Sequence, residues 1–439
     1  MKGPVRRQTA AFFPREPQSV EDTGLSLGAI VDLAVKTLYY SAEATGHQLA
    51  EMMGLPLSNV LDRAFESLKN QKAVDVAGAT GLGTGGYRYY LTDRGRLMAR
   101  EALERSAYTG KAPVPIAAYS DAVNAQSIRD APVTQEQLQA AFAGMVLSDD
   151  LLIQLGPAVN SGRSLLLFGA PGDGKTTIAE RIASLLGNDL WLPEATEVDG
   201  HIIKLFDPAM HRITPVEQTR LNRPDGRWVH CKRPVVISGG ELTLDALDLR
   251  YSPTARFYEA PHQMRASGGM FLIDDFGRQQ VSPRDLLNRW IVPLEKRIDY
   301  LTLHTGKKVA IPFDELIVFS TNLDPADLVD EAFLRRIRYK VFVRSPTPEQ
   351  YREIFRRMCR QRSVEYVDAA VSYLLQRHYG QRGIPLRACH PRDLLDQIID
   401  TARYLNIPAV MSKQLLDIAC ESYFVVPAVP PTAVAATVA

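Results

Sequence analysis

The chain has 439 residues, 46% of them hydrophobic and 23% charged, which is globular composition rather than that of a disordered or fibrous chain. This length suits about two or three domains with a sizeable core. Lys plus Arg number 51 and Asp plus Glu 50, so a formal charge of +1 gives no general attraction to nucleic acid or to a membrane surface. Cys231, Cys359, Cys389 and Cys420 stand far apart, with neither C-x-x-C nor zinc spacing, and read as reduced thiols of a cytoplasmic protein. Apolar runs never reach the roughly 18 residues of a membrane span, and the basic N-terminus lacks an apolar signal core, so no membrane partner is expected.

Residues 1–24 mix Pro, charge and small polar residues and are expected as a flexible arm. Residues 25–106 then read as a compact unit. An amphipathic helix (27–39) is followed by helices at 46–53 and 58–70, joined at Gly54-Leu55-Pro56, with Ser58 as the expected cap of the second. Two β-prone pieces (73–77 and 87–91) flank a glycine-rich tip, and a helix (93–104) closes the unit. This order resembles a winged helix-turn-helix domain. Such a domain can read DNA, with 58–70 as recognition helix and 78–86 as wing. From Ser26 to Glu104, however, eight Lys/Arg face nine Asp/Glu, and Asp62 and Glu66 lie on the candidate helix itself. Phosphate binding needs clustered positive charge, so docking to a protein is the equal alternative.

Residues 107–132, with Lys111-Ala-Pro-Val-Pro115, are expected as a linker, and helices at 134–145 and 148–160 follow. The apolar run Leu165–Phe168 reads as a buried strand leading into Gly169-Ala170-Pro171-Gly172-Asp173-Gly174-Lys175-Thr176-Thr177, a match to G-x-x-x-x-G-K-[ST] with a helical pattern behind it. The glycines permit a backbone whose N–H groups turn inward around phosphate oxygens at a positive helix end. Lys175 would place an ammonium on the β- and γ-phosphates of ATP, and the Thr176 hydroxyl would serve one Mg²⁺ position. The α/β core is expected over 133–344, with 193–232 as an insertion of unassigned purpose.

Downstream, Met270–Ile273 is an apolar run ending in Asp274-Asp275. In a phosphate-loop protein this strand is expected beside the first, with Asp274 reaching the Mg²⁺ and Asp275 orienting or deprotonating the attacking water. A third run, 316–321, ends at Asn322, an amide suited to the γ-phosphate or the water. Arg335 and Arg336 follow on a short helix; guanidinium is planar, always ionised and forked, which fits developing phosphoryl charge. Residues 345–423 read as helices at 348–362, 367–379, 391–405 and 412–423, with Arg392 in the first turn of the third, and 424–439 as a disordered tail. Trp191 and Trp290 fit core positions. His304 reads as a plain strand histidine and His390 as a cap or packing residue. The arginines of 352–362 read as a solvated or subunit-facing surface.

These motifs, in this order, resemble the AAA+ ATPase family: Walker A (169–176), Walker B (270–275), sensor 1 (Asn322), arginine finger (Arg336, or Arg335) and sensor 2 (Arg392). Pro293-Leu-Glu-Lys-Arg297 and Phe319-Ser-Thr-Asn-Leu-Asp324 are similar to the MoxR-like, chaperone-type branch. Asp275 departs from the common Asp-Glu pair, although the DnaA and helicase-loader branch also carries Asp-Asp. The resemblance implies an α/β fold: a doubly wound parallel sheet with a C-terminal helical lid, here with a small N-terminal winged-helix domain. It also implies a homo-oligomeric ring, with a hexamer as the expected number, in which the finger arginine completes the neighbour's site. Remodelling of a protein client is the leading expected output. A DNA-directed ATPase working through residues 25–106 and a slow ATP-dependent switch are the alternatives.

Overall fold

A computed structural model describes residues 12–81, 83–130, 132–216, 223–328 and 331–424. The expected tail beyond Phe424 and residues 1–11 of the expected arm lie outside the described residues. The chain divides into two compact units. One comprises Met1–Ala141, Ile153–Phe168 and Ile178–Val341; the other comprises Phe142–Leu152, Gly169–Thr177 and Phe342–Ala439.

The first unit contains a five-stranded sheet built from β1 (Ser164–Phe168), β2 (Val235–Ser238), β3 (Met270–Ile273), β4 (Leu316–Thr321) and β5 (Tyr339–Phe342), in the order β2-β3-β4-β1-β5. The pairs β2/β3, β3/β4 and β4/β1 are parallel. All of β3 and β4 is buried, which is why their sequences are unbroken apolar runs rather than alternating ones. Leu166, Phe271, Ile273 and Phe319 share a core with Trp290, Phe313 and Ile337. The expected adjacency of β3 and β1 is corrected here, because β4 lies between them. The strand order runs β2, β3, β4 and then reverses to β1, so β1 and β4 flank a topological switch point. In open α/β sheets, the crevice for ligands forms beyond the carboxyl ends of the strands at such a point.

The expected insertion belongs to a larger β body. Ala195–Val198 and His201–Lys204 pair antiparallel, and lie in a second five-stranded sheet with Arg250–Ser252, Phe257–Glu259 and Val114–Pro115. Leu190–Pro193 pairs antiparallel with Trp228–Cys231, and Trp191, Ile203, Trp228, Tyr258 and Leu301 fill the core. His304 sits in the turn of the hairpin Ile298–Thr302/Lys308–Pro312, where its ring is hydrogen-bonded to the Tyr258 hydroxyl.

Residues 107–132 are not a linker. They contribute the strand Val114–Pro115 and the helix Ile116–Ala125, whose Tyr119 is fully buried with its hydroxyl 2.7 Å from Ser267 Oγ. The Gln126 side chain accepts from Trp191 N and donates to Trp191 O, as a strand neighbour would. Pro113 and Pro115, which read as linker punctuation, suit an edge strand that needs no ladder donor there. Residues 12–24 are likewise packed. Phe12 and Phe13 meet Trp228 and Trp191, and the Asp225 amide donates to Pro14 O at 2.9 Å.

The N-terminal elements follow the expected order. Helices Leu27–Ser41, Gly46–Met53 and Asp62–Asn70 precede the antiparallel ribbon Val74–Ala79/Tyr87–Leu91, to which Glu43–Thr45 adds a third strand, and helix Asp93–Arg105 packs back on the first helix. Thr45 and Gln48 form a capping box. Ser58 does not cap the next helix, which begins at Asp62 after a kink where Ser58 is extended and Asn59 has φ 64°. Asn tolerates that left-handed conformation, and the kink carries Val60 and Leu61 fully into the core. The turn at Gly54 packs against Gly226: a Cβ built on Gly54, whose φ is +64°, would lie 2.5 Å from Gly226 O.

In the second unit, helices Pro348–Gln361, Asp368–Leu374, His390–Leu405 and Lys413–Tyr423 enclose Tyr351, Phe355, Leu394, Ile398, Leu415 and Leu416. Thr347 and Gln350 form a capping box with Pro348 in the first turn.

Candidate functional site: a phosphate loop and a strand-end carboxylate pair

The loop that follows β1 has the backbone its sequence demands. Gly169, Gly172 and Gly174 have φ of 148°, 82° and 86°, values that a side chain strongly disfavours, and helix Lys175–Ala183 begins directly behind them. Lys175 is buried and its ammonium donates to Gly169 O (3.1 Å) and Ala170 O (3.0 Å), so the side chain folds back over the loop. Thr176 follows, half-buried, and Thr177 is exposed.

Within the same unit the loop is gripped by helical-region residues. Cys389 N donates to Gly172 O at 2.9 Å, and a Cβ on Gly172 would meet Cys389 Sγ at 2.5 Å. The Asp173 carboxylate, 1% exposed, accepts from Ala388 N (3.1 Å), Ser345 Oγ (2.7 Å) and Arg387 (3.4 Å). Arg387 also donates to Ser345 Oγ at 2.5 Å. Arg392, the arginine singled out in the sequence, instead pairs with Asp393 at 2.7 Å and is 58% exposed. Arg387, Ser345 and the role of Asp173 were missed. Asp173 occupies a position the motif leaves free, and nothing in the spacing of Arg387 distinguishes it from Arg392. Behind this contact His390 is buried, its Nδ1 at 2.9 Å from the Tyr379 hydroxyl; burial pulls its pKa down to about 4, so it packs as a neutral ring.

In the first unit, β3 delivers Asp274, half-buried, and Asp275, exposed, at its carboxyl end. Asp274 N donates to Ser238 O (2.9 Å) and Asp275 N to Asp274 Oδ1 (3.1 Å). Asp275 has φ 50°, so the chain turns through the left-handed region directly after the strand. The turn is then stitched to β4: Phe276 N donates to Ser320 O and Thr321 Oγ1 to Phe276 O, both at 2.7 Å. Asn322, half-buried, follows Thr321, whose β1 partner is Phe168, while Ile273 is paired with Phe319. Asp274, Asp275 and Asn322 therefore leave the sheet at one edge, the edge at which β1 also ends. Arg336 donates to Glu295 Oε1 at 2.9 Å, and Arg335 is exposed.

No helix among the described residues is long and apolar enough to cross a membrane. A family profile described as a domain of unknown function, DUF8689, matches residues 347–422. No curated protein matches the chain. Among solved structures, the RuvB Holliday junction branch migration motor of Thermotoga maritima is similar at 18% identity, covering 66% of this chain and 70% of that one, with a TM-score of 0.36. NtrX from Brucella abortus in complex with ATP is similar at 13% identity, covering 66% of this chain and 57% of that one, with a TM-score of 0.40. These are distant structural likenesses.

Proposed function

We propose that the chain is a Mg²⁺-dependent ATPase of the AAA+ type that works as a ring of identical subunits on a protein partner. The observation that carries the reading is the phosphate loop: a buried strand, three glycines with positive φ, and Lys175 at the start of the following helix. Residues 169–177 would wrap the phosphates with backbone N–H groups while Lys175 exchanges its carbonyl partners for phosphate oxygens. The donor chemistry fits Mg²⁺, since Thr176 and Asp274 offer oxygen only, the ligand type this hard cation takes. Bound there, Mg²⁺ would neutralise charge on the β- and γ-phosphates. Asp275 would orient the attacking water, Asn322 would hydrogen-bond the γ-phosphate or that water, and Arg336 or Arg335 of a neighbouring subunit would stabilise transition-state charge. Arg335 is the more exposed of the two, and Arg336 would first have to leave Glu295.

The order of helices and ribbon in residues 25–106 supports a winged helix-turn-helix, and its charge favours protein docking over DNA. The exposed side of helix Asp62–Asn70 sets Glu66 beside Arg63 and Lys69, and Arg63 itself lies 3.4 Å from Glu21, so no cluster of positive charge forms there. Steady-state ATP hydrolysis by the full chain tests both parts. Lys175→Ala should abolish turnover, and Asp275→Asn should lower kcat about 10²- to 10³-fold with ATP still bound. Equal slow rates for wild type and Asp275→Asn would refute the hydrolytic reading. Strong stimulation by mixed-sequence duplex DNA would transfer the N-terminal unit to nucleic-acid recognition.

A further inference from the structure

We propose that Asp173 holds Arg387 in reserve: a carboxylate inside the phosphate loop occupies this arginine until a triphosphate displaces it. The proposal rests on the reading of residues 169–177 as an ATP site. The contact is a built one. The carboxylate is 1% exposed and accepts from Ala388 N at 3.1 Å, Ser345 Oγ at 2.7 Å and the Arg387 guanidinium at 3.4 Å. A carboxylate and a phosphate present the same oxygen pattern to a guanidinium, so the two compete for one donor fork. The arrangement is also asymmetric in strength. Backbone bonds from Ala388 N and Cys389 N hold the segment on the loop, whereas the Arg387–Asp173 distance is long and the shorter bond of Arg387, 2.5 Å, is to the neutral Ser345 hydroxyl. The guanidinium is therefore the part of the contact that a more highly charged acceptor removes at least cost, with the backbone grip intact.

Arriving phosphate oxygens would bring more negative charge than Asp173 carries and lie in the same loop, drawing Arg387 over. Ser345 then keeps Asp173 satisfied by donating to it, and Ala388 N continues to do so. By linkage, ATP would loosen Arg387 from Asp173 and Asp173 would weaken ATP by the same factor. Arg387 thus becomes a phosphate-binding residue of the proposed site, and Asp173 sets its threshold.

Equilibrium titration of the full-length protein with a fluorescent ATP analogue and Mg²⁺ tests this. Asp173→Asn should tighten binding about tenfold and Arg387→Ala should weaken it about tenfold. In the Arg387→Ala background, Asp173→Asn should bring no gain, because nothing remains to be released. A purely structural role for Asp173 gives the opposite sign, weaker binding on substitution, and would overturn the proposal. An equal gain in both backgrounds would also overturn it, since that is simple repulsion between the carboxylate and phosphate. If Lys175→Ala binds the analogue as wild type does, the ATP-site reading itself fails and the latch with it; if only the Asp173 and Arg387 expectations fail, the ATP site stands without the latch.

Discussion

Arg227→Ala should release the N-terminal region from the β body. Arg227 and Asp225 are 5% and 4% exposed and form a bidentate pair, with Arg227 Nε at 3.0 and 3.1 Å and a terminal nitrogen at 2.8 Å from the carboxylate. The other end of the guanidinium donates to Thr23 O at 2.8 Å and Pro113 O at 3.3 Å. One side chain therefore ties the N-terminal segment, the entry to Val114–Pro115 and the loop over Gly54 into one knot. Truncation takes the guanidinium from two carbonyls and from a buried carboxylate, which keeps only the backbone N–H of residue 227 at 3.0 Å. A broken buried pair costs about 3–5 kcal/mol, a large share of the roughly 5–15 kcal/mol that holds a domain folded. Local hydrogen exchange reads this directly. The amide of Asp225, which donates to Pro14 O, and that of Leu25, which donates to Thr23 Oγ1, should exchange at least about a hundredfold faster, while amides of β3 and β4 change little. Arg227→Met with Asp225→Leu, which removes both charges, should cost much less than Arg227→Ala alone. Exchange within threefold of wild type at both amides, about 0.6 kcal/mol, would refute the role of this knot.

Glu315 is fully buried, both its carboxylate oxygens lack a hydrogen-bond partner among the described residues, and desolvation pushes its pKa well above the usual range against the pull of Arg297. The folded state therefore keeps a proton that the unfolded state gives up, so stability falls by about 1.4 kcal/mol for each pH unit above the unfolded pKa until the folded one is reached. Glu315→Gln should remove that slope and stabilise the protein at neutral pH; denaturant midpoints that keep the wild-type slope would refute it. Gly172→Ala should abolish nucleotide binding through its φ of 82° and the 2.5 Å approach to Cys389 Sγ, and Cys389→Ala should recover only part, since the backbone strain stays. Gly54→Ala, with φ +64° and Gly226 O at 2.5 Å, should accelerate exchange in the same amides as Arg227→Ala.

The sheet was legible because parallel strands buried on both faces need continuous apolar runs, and Leu165–Phe168, Met270–Ile273 and Leu316–Phe319 are such runs, each ending in residues with chemistry. Their lateral order was not legible. Nothing within Met270–Ile273 says whether its neighbour is β1 or β4, because pairing between equally apolar parallel strands is decided by the crossovers. The linker reading failed for a related reason. Pro113 and Pro115 punctuate a flexible connector and an edge strand equally well, and what separates the two is Tyr119, buried through a contact with Ser267, 148 residues away.

Residues 12–24 of the expected arm lack periodicity, yet they are packed by partners supplied from Trp191 and residues 223–228 rather than by themselves. Gly54 packs against the Gly226 backbone, yet Ser58, Asn59, Arg63, Glu66 and Lys69 stay exposed, so it is the mixed charge of that face, rather than its packing, that argues for a protein partner.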